Sequence, residues 1–197
     1  VAKNLGGRQI IATANFALRQ GEVLCLTGPS GIGKSTLLEM AAGILRPDKG
    51  TVCRQASVAL MFQDDALIPW LTAEANIGYI LPAGVSPSEG ARRAAIWLRR
   101  FGLESWQYPP AMSGGMRRRL SLARTFAAER PLLILDEPFA FLDEDWQTVV
   151  AEETARHAAN GGAILLASHT TAPFSPASLA KATYRVVPVE ETPIIID

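Results

Sequence analysis

The run Gly28-Pro29-Ser30-Gly31-Ile32-Gly33-Lys34-Ser35-Thr36 restricts what this chain can fold into more than any other stretch. It follows directly on an apolar run, 22–27, and opens a helical stretch, 34–43, that Gly43 and then Pro47 bring to a stop. Glycines at 28, 31 and 33 let the backbone curl so that successive N–H groups point inward, and the helix that follows adds the positive end of its dipole. Such a cradle fits phosphate oxygens. In a loop of this pattern Lys34 pairs with the β- and γ-phosphates of a nucleotide, and the Ser35 hydroxyl ligates Mg²⁺.

Four apolar runs, 22–27, 58–62, 132–136 and 163–168, are continuous rather than alternating, which marks strands buried on both faces of a parallel sheet. Helices are expected between them. From Ser113 the apolar residues Met116, Leu120, Ala123 and Ala127 fall on one helical face while Arg117, Arg118 and Arg124 point elsewhere, and Pro131 ends the helix. A further helix, 145–160, closes at Gly161-Gly162. The stretch 66–112 reads as an insert with its own helix, which starts at the capping box Ser86-Pro87-Ser88-Glu89, runs through Ala91, Ala94, Leu98 and Phe101, and stops at Gly102. The expected fold is α/β: a P-loop NTPase core with a mainly parallel sheet and an inserted α-helical subdomain. Residues 1–197 form one domain, with 1–65 and 113–197 as the core and 66–112 as the helical part. The stretch 171–197 is the least readable part of the chain.

Lysine plus arginine and aspartate plus glutamate number 19 each, so a net charge of +0 supplies no global attraction to nucleic acid or to an acidic membrane. Arg117-Arg118-Arg119 point around a helix, and a solvated or intersubunit role is expected for them. Apolar stretches such as 132–135 and 163–167 are far shorter than the roughly 20 residues that cross a bilayer. Val1 is followed by no charged-then-apolar leader, so no signal peptide is expected. Cys25 and Cys53 read as reduced core residues.

Leu135-Asp136-Glu137-Pro138 ends the third apolar run, where ligands bind in open α/β sheets. Asp136 suits a Mg²⁺ contact, and Glu137 suits the base that orients and deprotonates an attacking water. His169, at the end of the fourth run, is placed to sense the γ-phosphate, whereas His157 reads as a surface residue of the 145–160 helix.

Together with Ser113-Gly114-Gly115-Met116 opening a helix and Gln63 ending a strand, these motifs resemble the ATP-binding-cassette family over about residues 1–170. The resemblance implies that two cassettes associate head to tail, each ATP lying between residues 28–36 of one and Ser113, Gly114 and Gly115 of the other. It implies that Asp143 lies in the loop that communicates between the two sites. Gln63 matches the glutamine that contacts Mg²⁺ or the attacking water. The segment Gln63–Thr72 matches the region that meets an integral membrane permease, and Ile68 and Trp70 either enter such a groove or pack the insert's own core. Pro69-Trp70-Leu71-Thr72, Met116 and Asp136-Glu137-Pro138-Phe139 look most like importers of the nitrate, sulfonate and taurine type. The implied protein is an ATPase with ATP and Mg²⁺, a homodimer at the cytoplasmic face of the membrane, with no nucleic acid partner. A heme-exporter-type cassette and a soluble cassette ATPase acting on DNA or ribosomes are the alternatives. Three features depart from the family. Leu5 stands where an aromatic normally stacks on adenine, the short stretch Gly43–Gln63 implies a reduced antiparallel β-subdomain, and Thr170 and Thr171 follow His169.

Overall fold

The structure, a computed structural model, describes residues 1–169 and 183–189. The chain opens with a hairpin of β1 (Lys3–Leu5) and β2 (Arg8–Ile11), joined by Gly6 and Gly7, both at positive φ. Then come β3 (Glu22–Thr27), α1 (Lys34–Ala42) and β4 (Val58–Met61). Three helices follow: α2 (Ala73–Gly78), α3 (Pro87–Arg100) and, past a 3₁₀ turn at Pro109–Ala111, α4 (Gly114–Ala127). The described elements close with β5 (Leu132–Asp136), α5 (Glu144–Ala159), β6 (Ala163–Ala167) and β7 (Thr183–Pro188).

Five of the strands form one parallel sheet in the order β4-β5-β6-β3-β7. Alternate side chains of the inner strands supply two cores. Val23, Cys25, Leu133, Leu135, Ile164 and Leu166 face the layer that holds α4 and α5, and Leu24, Leu26, Ile134, Leu165 and Ala167 face α1. That is why these runs are apolar without alternation. Because the strands are parallel, their carboxyl ends share one edge, and the loops after β3, β4, β5 and β6 meet there.

Several expectations need correction. β7 lies within 171–197, the least readable part of the sequence, and pairs with β3 from Glu22↔Thr183 to Thr27↔Pro188. The reduced antiparallel part is the β1–β2 hairpin with an Ala2↔Lys49 bridge, and the stretch 51–57 contains no strand. The insert holds two helices, α2 and α3, and α4 packs on both. The capping box is half made. Ser86 Oγ accepts from Glu89 N at 3.3 Å, but the Glu89 carboxylate turns to Arg92 at 2.7 Å and Arg93 at 2.7 Å. Cys25 is buried as expected, whereas Cys53 is exposed. His157 is half-buried with Nε2 3.3 Å from Pro131 O, and burial lowers its pKa. Arg118 is not solvated: its side chain is 1% exposed. Thr170 and Thr171 lie outside the described residues.

The turn 68–72 is built on one buried side chain. Asn76 Oδ1 accepts from Ile68 N at 2.9 Å, and Nδ2 donates to Ile68 O at 3.1 Å, Leu71 O at 3.0 Å and Thr72 O at 3.1 Å. Leu67 packs against the core, Ile68 is half-buried, and Trp70 stands out at 77% exposure. Truncation at Asn76 strands part-buried backbone groups, each costing about 1–3 kcal/mol. Asn76→Ala should therefore lower stability by about 3 kcal/mol in urea unfolding, and an unchanged midpoint would show that the turn is held some other way.

Candidate functional site

The loop between β3 and α1 owes its shape to Gly28, Gly31 and Gly33, at φ 146°, 79° and 105°. A Cβ on Gly28 would stand 2.9 Å from Val189 O, and one on Gly33 would collide with Ile10 and Ile11. The segment after β7 and strand β2 thus press on the loop from outside. Lys34 is buried at the start of α1, and its Nζ donates back to Gly28 O at 2.8 Å and Pro29 O at 3.2 Å. Ser30 is exposed on the rim, while Ile32, Ser35 and Thr36 are half-buried. A cavity of about 260 Å³ opens beside the loop, lined by β2, Gly31, Ile32 and Leu37. Leu5, 42% exposed, lies at the end of β1 in the same hairpin.

β5 delivers the acidic pair to this edge. Asp136 is 6% exposed and lies beside the Ser35 hydroxyl, and its Oδ1 is buried with no hydrogen-bond partner. Burial raises its pKa, opposed by the Ser35 hydroxyl and by Lys34, Arg118 and His169. Glu137 adopts a left-handed φ of 50°, at a cost of about 1–2 kcal/mol for a residue with a Cβ, and its N–H donates to Ala167 O at 3.0 Å. This bend aims its carboxylate across the sheet edge. Oε1 lies 3.1 Å from His169 Nε2 and 3.9 Å from Lys34 Nζ, and Oε2 accepts from His169 N at 3.3 Å. Burial pushes the Glu137 pKa up, with His169 and then Lys34 opposing. His169, which follows β6, is half exposed and also lies 3.4 Å from Ser30 Oγ.

Gln63 lies two residues past β4, whose Met61 pairs with Leu135, so Gln63 projects from the same edge as Asp136. Its side chain is exposed, and its carbonyl accepts from Arg118 Nη2 at 2.7 Å. The ends of four strands, β3, β4, β5 and β6, bring Lys34, Ser35, Gln63, Asp136, Glu137 and His169 to one edge. Ser113, Gly114 and Gly115 lie elsewhere, at the exposed N-terminus of α4. Ser113 Oγ accepts from Met116 N at 3.2 Å, and a Cβ on Gly115 would stand 2.9 Å from Phe141 O. Asp143 caps α5, accepting from Trp146 N at 3.0 Å, and ends the turn that abuts Gly115.

Sequence reasoning missed Arg118. The available signal was that Arg118, Ser121 and Thr125 recur at helical spacing, a polar stripe beside the apolar face of α4. Chemically, the edge combines an anion cradle, a buried carboxylate with an unsatisfied oxygen beside a hydroxyl, and a second carboxylate poised to take a proton. This set suits phosphoryl transfer to water.

Comparison with known proteins agrees. The family profile described as ABC transporter matches residues 11–140. The chain is 36% identical over 176 residues to the aliphatic sulfonates import ATP-binding protein SsuB 2 of Pseudomonas syringae pv. tomato, covering 85% of this chain and 72% of the relative. It is 42% identical over 147 residues to the taurine import ATP-binding protein TauB of Pseudomonas aeruginosa, covering 69% of this chain and 56% of the relative. Among solved structures, a dimeric post-hydrolysis state of an ATP-binding cassette bound to ADP and Pi superposes with a TM-score of 0.77 at 25% identity, covering 87% of this chain and 86% of that one. An ATP-binding subunit of an ABC transporter superposes with a TM-score of 0.79 at 26% identity, covering 94% and 82%. By sequence, by fold and by the chemistry gathered at its strand ends, the chain belongs to the ABC transporter family, as an ATP-binding ATPase cassette.

Proposed function

We propose that this chain energises a membrane importer by hydrolysing ATP as one of two identical cassettes, with residues 66–112 acting as the helical unit that carries the permease contact. The observation that carries the reading is the convergence, from three separate strands, of Lys34, the Asp136–Glu137 pair and His169 on one edge of the sheet. In this reading the backbone of Gly28, Pro29, Ser30, Gly31, Ile32 and Gly33 surrounds the phosphates, with the Thr36 hydroxyl beside it. Lys34 exchanges Gly28 O and Pro29 O for the β- and γ-phosphate oxygens. The unpartnered Asp136 Oδ1 and the neighbouring Ser35 hydroxyl fit a divalent cation. Ser35, Asp136 and Gln63 would hold Mg²⁺, which when bound supplies charge neutralisation along the phosphate chain.

Glu137 takes the proton of a water whose oxygen attacks the γ-phosphorus as the bond to the β–γ bridging oxygen breaks, leaving ADP and phosphate. Its raised pKa suits that task. His169 steadies the carboxylate and faces the γ-phosphate from the Ser30 side. Ser113 uses its oxygen as an acceptor for Met116 N and keeps its O–H to donate. With the first-turn N–H groups of Gly114 and Gly115, it offers an anion site to the partner cassette's ATP. Asp143 sits beside that surface, on the turn that meets the partner.

The importer assignment follows the relatives, whose names specify aliphatic sulfonates and taurine. Small organic sulfonates are accordingly the proposed cargo class. In this reading the permease contact lies at Gln63–Thr72, which is supported by Trp70, exposed on a turn pinned by Asn76. No helix among the described residues is long and apolar enough to cross a membrane. In this reading the chain is held peripherally at the cytoplasmic face by the permease.

Glu137→Gln should reduce ATP turnover by about 10²–10⁴-fold while retaining Mg·ATP binding, and equal turnover would remove Glu137 from the mechanism. The same variant should run as a dimer in size-exclusion light scattering only with Mg·ATP, and adding Ser113→Arg should return it to monomer. A monomer under every condition would sink the paired arrangement. Lys34→Ala should abolish binding of a fluorescent ATP analogue at concentrations that saturate the parent, and retained affinity would sink the role given to the loop.

A further inference from the structure

No regular secondary structure holds the turn that carries Gln63. Residues 62–66 form neither helix nor strand, Phe62, Gln63 and Asp64 are exposed, and Ala66 adopts a positive φ of 45°. Core packing therefore does not fix this backbone. Helix α4 does, through five hydrogen bonds to its carbonyls. Arg118 donates to Phe62 O at 3.3 Å and Gln63 O at 2.7 Å, Ser121 to Asp65 O at 3.0 Å, and Arg124 to Asp65 O at 2.9 Å and Ala66 O at 2.7 Å. Arg118, Ser121 and Arg124 lie on one side of α4 at spacings of three residues, so a single rigid helix face sets the path of the turn.

Arg118 is the unusual member. A guanidinium 1% exposed is costly to bury, and Arg118 Nε has no partner, so packing alone would be better served by an apolar side chain of similar length. What an apolar residue lacks is a pair of donors for consecutive carbonyls. Its charge is met by Asp65, with Oδ1 3.4 Å from Nη1, and it lies within the field of Asp136 and Glu137. The grip also belongs to the helix whose first turn is Gly114 and Gly115, so a displacement of that N-terminus is passed to Gln63 through a rigid rod about one turn long.

We infer that Arg118 is a positioning residue for hydrolysis: by holding the main chain of Gln63 it presents the Gln63 side chain to the reacting edge, in register with the helix that begins at Ser113. The inference rests on the reading of Gln63 given above. A positional error of about 1 Å costs as much as about 10²-fold in rate, so a lost grip should appear in kcat before it appears in binding.

The test is a double-mutant cycle on the full chain with Arg118→Met, Arg118→Lys, Gln63→Ala and the doubles. It reads kcat, KM and the affinity for Mg·ATP, with thermal unfolding as the check on folding. Arg118→Met should lower kcat by about 10- to 100-fold with affinity changed less than about 2-fold, and Arg118→Lys should recover part of the loss. In the Gln63→Ala background Arg118→Met should cost almost nothing more. Full activity in folded Arg118→Met, or losses that simply multiply in the double, would overturn the inference while leaving Gln63 in its role. An inert Gln63→Ala would instead remove Gln63, and with it the route through which Arg118 acts. Should Arg118→Met fail to fold, Arg118→Lys carries the same cycle, and multiplying losses there would overturn the inference equally.

Discussion

Asp136 and Glu137 stand at the end of a strand buried on both faces, where a carboxylate loses most of its hydration, and burial raises the pKa of each. Three cationic or protonatable side chains offset this. Lys34 arrives from the start of α1, His169 from the end of β6 and Arg118 from α4. Each must come from a different element, because the neighbours of Asp136 along β5 are the apolar residues of the two cores. The requirement to balance two buried acids at one edge thus ties together the loop, the sheet order and the placement of α4. The strained backbone of Glu137 belongs to the same compromise, since it turns the second carboxylate from its neighbour toward His169.

Much of this was legible because the decisive signals are local. A glycine-rich loop between an apolar run and a helix states its own conformation, and strands that supply two cores cannot hide their composition. Ser113 as a helix cap likewise follows from residue type and position. The features that escaped depend on distant partners. Among the described residues β7 pairs along β3 alone, and Arg185 interrupts its apolar residues and reaches Glu22 and Ala17. The β1–β2 hairpin is short and largely exposed, with Gly6-Gly7 as its one strong marker. Arg118 was misplaced because a helical projection finds its apolar side but cannot tell that a turn 56 residues earlier supplies polar acceptors to a neighbouring face.

The helical part shows a related division of labour. Asn76 satisfies the turn 68–72 from within, which leaves Trp70 free of any packing duty. A similar economy is visible at the N-terminus of α4, where Gly115 permits Phe141 O to approach and so keeps the turn before α5 against the helix start. Both segments are held by hydrogen bonds or close packing within the chain, and such prior ordering lowers the entropy lost when a surface takes part in association.

The bonds from Lys34 to Gly28 O and Pro29 O have a consequence for how ligand is taken up. The ammonium ties the first residues of the loop to the first residue of the helix, so the curl is sustained by the chain's own covalent neighbour. Converged N–H groups are thus a property of the folded loop. An incoming phosphate has to compete with Gly28 O and Pro29 O for a lysine already held against the loop. In the proposed reading, uptake then resembles an exchange of partners more than an ordering transition.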